Sequence, residues 1–351
     1  MRILLLTDRH SVHSQRWLDG LRRRGHAVKV LVRHAAADPD VIGPPAWIAR
    51  IGLLRKAWLF LALLRLTRGF RPQIIHQHWF EVRPFMRRFL RETPFVISVW
   101  GSDILLAQWD ASALARARAY ARLAGAVTAS SRCLAEATER LLQVTPRLIY
   151  WGVDLRALAP RPRADGGPFT VIFLKQLAPV YGPDLAVRAF ARLREAVPDA
   201  RLRLYGGGPM EGELRRLADE LNVGAGVQFI GAIPHAEIAE ALTESDVMIM
   251  PSRSESFGLA AVEAQAMAVP VVATRVGGIP EAVADGVGGL LAPAEDVEAL
   301  AGHLRRLAAD ADLRRAMGRN GRRYVEEHFD WERTLDQMEA LYAELSPGLP
   351  S

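Results

Sequence analysis

Two carboxylates bracket the start of a predicted helix in Glu255-Ser256-Phe257-Gly258-Leu259-Ala260-Ala261-Val262-Glu263, after an apolar run, Val247–Met250, and a polar loop, Pro251 to Ser254. A helix start offers backbone N–H groups without intrahelical partners and the positive end of the helix dipole, so the amides of Phe257, Gly258 and Leu259 suit a diphosphate or sugar hydroxyls. Gly258, lacking a Cβ, admits close approach of such a ligand. Glu255 and Glu263 lie about two helical turns apart. Glu263 can then accept hydrogen bonds from a ribose diol while Glu255 addresses the opposite end of the ligand. Taken alone, the same residues also describe a capped helix with two solvated acids, because helix starts favour acids.

Histidines form a second group. Ile75-His76-Gln77-His78-Trp79 places two of them at a strand end, on one face only while the strand lasts. No third ligand is near, so no metal site is expected. A polar contact to a bound ligand and a purely structural role both remain open for His76 and His78. Thr7-Asp8-Arg9-His10-Ser11-Val12-His13-Ser14 feeds the first helix. Ligands of doubly wound sheets lie beyond the carboxyl ends of the strands, which makes His13 and Ser14 candidates for contact with a ligand's phosphate or other polar groups. Simple N-capping by Ser14 is the alternative.

The elements that must position these groups alternate between short apolar runs and longer stretches of helical period, the pattern of βα units and parallel sheets. Strands are predicted at Ile3–Leu6, Val28–Val32, Ile74–His76, Phe95–Val99, Ala126–Ala129 and Leu148–Tyr150. A second set follows at Phe169–Phe173, Ala200–Tyr205, Val227–Ile230, Val247–Met250, Val271–Thr274 and Gly289–Leu291. The first helix is expected at about Ser14 to Arg24, stopped by Gly25. Between the sets, Ala159 to Pro168 is rich in Pro and Gly and reads as a linker. The expectation is an α/β chain of two Rossmann-like, doubly wound domains, residues 1–158 and 159–330. Three helices close the chain from Ala294 to Leu345, and the last, 331–346, is expected to pack back on the first domain.

The 351 residues suffice for two cores, with 50% hydrophobic and 24% charged residues, a composition of folded rather than disordered chains. A lone Cys133 excludes an intrachain disulfide and a thiolate zinc cluster. The start has no secretory signal pattern, and Ile51 to Leu66 is interrupted by Arg55, Lys56 and Arg65, too broken to span a bilayer. A cytoplasmic protein is expected.

From Glu255 onward the sequence resembles the family 4 glycosyltransferases, retaining enzymes of the GT-B fold. Pro251 to Gly258 and Glu263 to Thr274 carry the resemblance, continued by Val276-Gly277-Gly278-Ile279-Pro280-Glu281. Tyr205-Gly206-Gly207-Gly208-Pro209, Tyr150-Trp151-Gly152-Val153-Asp154 and Phe329-Asp330-Trp331 extend it along nearly the whole chain. The resemblance implies sugar transfer from a nucleotide-diphosphate sugar to an acceptor hydroxyl at the interdomain cleft, with retention and without a bound metal or cofactor. It puts Glu255 by the donor sugar and Glu263 on the ribose, with Phe257, Gly258, Leu259 and Gly208 around the donor. Two departures stand out. The family's diphosphate-binding Arg and Lys align with Gln176 and Tyr181, so Lys175, the nearest cation, is expected to take over the charge. Trp100 in Trp100-Gly101-Ser102-Asp103 holds a position where the family commonly has His. Asp103 is expected to reach a sugar hydroxyl, or to cap its loop, and Trp100 to lie on the acceptor side with His13, Ser14 and His78.

Charge is unevenly distributed: residues 1–159 carry 25 Lys and Arg against 11 Asp and Glu, and residues 160–351 carry 20 against 28. Trp47 to Arg71 and Arg83 to Arg91 mix cations with Trp58, Leu59, Leu61, Leu63, Phe85 and Phe89. Such faces could rest on an anionic membrane while a glycan or lipid-linked acceptor enters, or could simply pack on the sheet. No nucleic-acid motif accompanies the charge. The implied role is bacterial cell-surface polysaccharide or glycolipid synthesis at the inner face of the cytoplasmic membrane. The rival readings are a sugar-nucleotide epimerase of the same fold, a pyridoxal-phosphate phosphorylase that would have to use Lys175, and a binding scaffold that lost its chemistry through Gln176, Tyr181 and Trp100.

Overall fold

The computed structural model of the chain describes residues 1–7, 12–34, 41–90, 93–105, 110–161 and 166–347. Asp8 to Ser11, Arg91 and positions 162–165 of the predicted linker lie outside the described residues. Two compact units emerge, one of Met1–Tyr150 with the chain from Leu335 onward, the other Trp151–Thr334.

In the first unit, β1 (Arg2–Thr7), β2 (Ala27–Val32), β3 (Val41–Ile42), β4 (Ile74–His78), β5 (Phe95–Ser98), β6 (Ala126–Ala129) and β7 (Arg147–Leu148) form a parallel sheet in the order β3-β2-β1-β4-β5-β6-β7. Its strands read as continuous apolar runs because both faces are covered: Ile3, Leu4, Leu5 and Leu6 are all buried. The first helix, Val12–Arg23, buries Trp17, Leu18 and Leu21. It starts ahead of Ser14, which therefore sits inside the first turn and does not cap it. The two-residue β3 and the extension of β4 to His78 went beyond the expected strands, the first because so short a run carries no periodicity.

The second unit repeats the plan with β8 (Thr170–Leu174), β9 (Arg201–Tyr205), β10 (Val227–Gly231), β11 (Val247–Met250), β12 (Val271–Thr274) and β13 (Gly289–Ala292), all parallel, in the order β10-β9-β8-β11-β12-β13. Helix Pro183–Arg194 buries Leu185, Ala186, Ala189, Phe190 and Leu193 against this sheet.

The division between units falls at Tyr150 and Trp151, ahead of the predicted linker, for a local reason. Val153 N–H donates to Phe329 O at 2.8 Å, Trp331 N–H donates to Val153 O at 3.1 Å, and Gly152 N–H donates to the Thr334 hydroxyl at 2.9 Å. The segment after Tyr150 is thereby paired to the end of the second unit. Helix Trp331–Leu345 then supplies the first unit with Glu339, whose carboxylate meets Arg24 at 2.8 Å and His26 at 2.7 Å, and with Tyr342, which is fully buried.

Candidate functional site

In the second unit the strand order reverses between β8 and β11, and the crevice beyond the carboxyl ends of two such strands is where open α/β sheets bind ligands. Lys175 follows β8 and Glu255 lies in the loop after β11. Their side chains meet there, Lys175 Nζ at 2.7 Å from Glu255 Oε2, with the lysine side chain 21% exposed and the glutamate 9%. Tyr181 lies beneath the ammonium, 4.8 Å from ring centroid to Nζ. Burial works to lower the Lys175 pKa, but the charge and hydrogen bond of Glu255, with smaller contributions from Tyr181 and Glu263, hold it above the ordinary lysine value. The cation is therefore kept charged. Gln176 is exposed, while Tyr181, in the other position where the resemblance led one to expect a cation, faces Lys175.

Glycines make this approach of loops feasible. Gly206, at φ +130°, would drive a Cβ into the Lys175 carbonyl, and Gly277, at φ +51°, into that of Glu255. Gly278 N–H donates to the Glu255 carbonyl at 3.0 Å, and Lys175 N–H to Tyr205 O at 3.1 Å. Gly208 likewise sits against the Leu177 backbone. It braces the segment that follows Lys175. Arg253 fixes the intervening loop: its guanidinium spans both Asp184 oxygens at 2.8 Å and reaches Glu295 at 2.7 Å.

The helix after Glu255 runs Leu259–Ala266 and is entered through Gly258 at φ +102°. Ala261 and Val262 N–H groups donate to the Gly258 carbonyl at 2.9 and 3.3 Å, which leaves the Leu259 and Ala260 amides ahead of the helical ladder. Phe257 is buried against Phe329, with ring centroids 5.3 Å apart. It anchors the turn from inside. Glu263 is 5% exposed, and its Oε1 lies 3.0 Å from His235 Nε2, the ring donating and the carboxylate accepting. His235 was missed in the sequence, where nothing sets a histidine in a loop after an edge strand apart from any other.

In the first unit the order reverses between β1 and β4, and the candidates at these carboxyl ends divide into two kinds. His76 is satisfied on both ring nitrogens, by Tyr342 OH at 2.6 Å and Ser98 Oγ at 2.7 Å. Burial, reinforced by His78, lowers its pKa well below the ordinary value. It is a structural histidine. His78 is 1% exposed and, among the described residues, neither ring nitrogen has a hydrogen-bond partner. Its ring packs on His76 at 4.4 Å, Trp100 at 5.2 Å and Trp17 at 5.6 Å, and burial lowers its pKa to about 3. His13 meets Trp100 edge-on at 6.0 Å.

Two predicted contacts take fold-holding positions instead. Ser14 is buried with its hydroxyl 3.3 Å from that of Thr7. Asp103 is 4% exposed and accepts from the amides of Phe80 at 2.6 Å, Gly101 at 2.7 Å and Trp100 at 3.0 and 3.1 Å. Burial pushes its carboxyl up to about 6 against the lowering effect of those amides. Both oxygens are occupied, so Asp103 fixes the Trp100 backbone rather than presenting a carboxylate. Among the described residues no group of three or more His, Cys, Asp or Glu side chains is arranged to hold a metal.

Residues 156–324 match the family described as Glycosyl transferases group 1, and residues 2–130 match Glycosyl transferase 4-like. The chain is 38% identical over 232 residues to a D-inositol 3-phosphate glycosyltransferase of Corynebacterium urealyticum, covering 60% of this chain and 52% of the relative. It is 37% identical over 196 residues to a GDP-mannose-dependent alpha-(1-6)-phosphatidylinositol monomannoside mannosyltransferase of Mycolicibacterium smegmatis, covering 51% of each. The chain thus spans about half the length of these curated relatives. Over 98% of its length it superposes on a sucrose-phosphate synthase of Thermosynechococcus elongatus, 99% of which is covered, with a TM-score of 0.81 and 26% identity.

Proposed function

The chain belongs to the family 4 glycosyltransferases (glycosyl transferases group 1), proteins of GT-B fold, and from that premise we propose that it transfers a sugar from a nucleotide-diphosphate sugar to an acceptor hydroxyl with retention of anomeric configuration. The observation that carries the reading is the Lys175–Glu255 ion pair at the strand switch of the second unit, with Glu263 near enough to act on the same ammonium.

In this reading Lys175 and the Leu259 and Ala260 amides stabilise the charge that develops on the leaving diphosphate. Glu255 lies by the donor sugar and Glu263 holds the ribose diol. As the bond from the anomeric carbon to the diphosphate oxygen breaks, the acceptor oxygen bonds on the same face and its proton passes to the departing phosphate. No side-chain nucleophile is required. In the first unit, His13 and Trp100 serve the acceptor side, with His78 buried against Trp100 as packing and not as the acceptor contact its motif suggested, and Asp103 positions Trp100. The acceptor is read as a glycan or lipid-linked molecule of a cell-surface pathway, met at an anionic membrane. That part is supported by the surplus of cations over residues 1–159 and by a relative that acts on a phosphatidylinositol mannoside.

The test is thermal shift with UDP, GDP, ADP and their sugar conjugates, since a ligand of the native state must raise its melting temperature. One base is expected to give a shift that Glu263→Ala abolishes, and the matching sugar nucleotide to be consumed only when acceptor is present. Release of altered sugar without acceptor would replace transfer by epimerisation, and no shift with any nucleotide would remove the reading.

A further inference from the structure

Residues 41–80 contain no Asp or Glu but six Arg and Lys, and their fold leaves apolar side chains in solvent. Helix Gly52–Gly69 turns Leu59, Ala62, Leu63 and Leu66 inward, a single stripe at helical spacing. Off that stripe Leu53 is 79% exposed and Leu61 51%, and Trp47, just upstream, is 64% exposed. Scattered exposed apolar residues need no explanation, but a run of them set among cations marks a contact surface.

Beside this helix lies a groove of about 490 Å³ whose described lining includes Lys29, Ile42, Trp58, Leu61, Arg65 and Phe70, and no acid. Lys29 Nζ stands 5.7 Å from the Phe70 ring centroid. Lys29 and Arg65 are exposed. The groove therefore combines an apolar wall with two cations. A free phosphate would satisfy the charges and leave the aromatics uncovered. An apolar ligand would cover the aromatics and leave the charges. One molecule that does both is an amphiphile with an anionic head.

We propose that this groove binds one anionic phospholipid of a bilayer, its phosphate held by Lys29 and Arg65 and its acyl stem laid on Trp58, Leu61 and Phe70, with Trp47 and Leu53 entering the interface alongside. The proposal deepens the membrane part of the proposed function and rests on it, by naming which residues engage the lipid and which lipid class they select.

Vesicle sedimentation at low salt tests it, with phosphatidylglycerol–phosphatidylcholine vesicles and phosphatidylcholine alone. The wild-type chain is expected to sediment only with the anionic vesicles. Lys29→Gln/Arg65→Gln should lower partitioning by roughly tenfold or more, each near-surface cation being worth about fivefold. Arg116→Gln/Arg122→Gln, an equal charge change elsewhere on the same unit, should lower it by less than about threefold. Equal losses in the two pairs would reduce the effect to diffuse attraction and overturn the groove. Competition by inorganic phosphate beyond that of chloride at equal ionic strength would reassign it to free phosphate. The nucleotide thermal shift, unchanged in all variants, shows that they fold and keeps failure of the groove distinct from failure of the transfer reading.

Discussion

Lys175 Nζ stands 2.7 Å from Glu255 Oε2, so the single lysine of residues 160–351 is already paired with the first acid of the motif. Removing one member of a nearly buried ion pair strands the other, which costs more than the pair is worth. Lys175→Met is expected to lower the melting temperature and, by loss of charge at the leaving diphosphate, to slow transfer by about two to three powers of ten. Adding Glu255→Gln should restore part of the melting temperature but none of the rate. Wild-type turnover in Lys175→Met would exclude the lysine from the chemistry.

Glu263 is held by His235 at 3.0 Å, and the two separate cleanly by mutation. If the carboxylate binds the ribose diol, Glu263→Ala should weaken nucleotide binding by about tenfold or more, the worth of hydrogen bonds to a charged group. His235→Ala removes only a ring that is largely at the surface and should change the dissociation constant by less than about threefold. Calorimetric titration with the cognate nucleotide reads both, and equal losses would make the pair, not the acid, the binding group.

Much of this site was legible because its chemistry resides in residue types at short spacing. Glu255, Gly258 and Glu263 fall within one strand-loop-helix unit, and the alternation of apolar runs gave both parallel sheets. Contacts that depend on distant segments were not legible. His76 and His78 look equivalent in sequence, yet His76 is satisfied by Tyr342, which lies 266 positions later, and His78 by no hydrogen bond among the described residues. Asp103 and Ser14 are residue types equally suited to a ligand or to a backbone amide, and only the packed loop decides between them. Gly208 was expected around the donor from its motif, and its close approach to the Leu177 backbone is a further contact that the glycine-rich turn does not announce.

His78 also predicts a pH response. Its pKa is lowered to about 3 by burial, against an ordinary value near 6.5 in the unfolded chain. Below about 6.5 the unfolded state therefore takes up a proton that the folded state refuses, so the stability contributed by the neutral ring is complete above that pH and is lost as the pH falls toward 3. His76, shifted in the same direction, adds to the effect. Denaturation midpoints measured from pH 7 to pH 4 should fall less steeply for His78→Phe than for wild type. Parallel curves would show that the ring is hydrated or already paired in solution.

Gly277 offers the sharpest test of how the site is framed. Its φ of +51° lies in the left-handed region, and an added Cβ would overlap the Glu255 carbonyl oxygen. An alanine there has to bear both the backbone strain, on the order of 1 kcal/mol or more, and a displacement of the Glu255 segment. Because the obstructing atom is backbone, it cannot swing aside as a side chain would. The displacement would pull Glu255 away from Lys175. Gly277→Ala is expected to lose both melting temperature and sugar transfer, whereas Gly212→Ala, where an added Cβ meets nothing within 4 Å, should keep both. If Gly277→Ala melted normally and still turned over, the contact between the Val276–Gly278 turn and Glu255 would not be what holds the carboxylate in place.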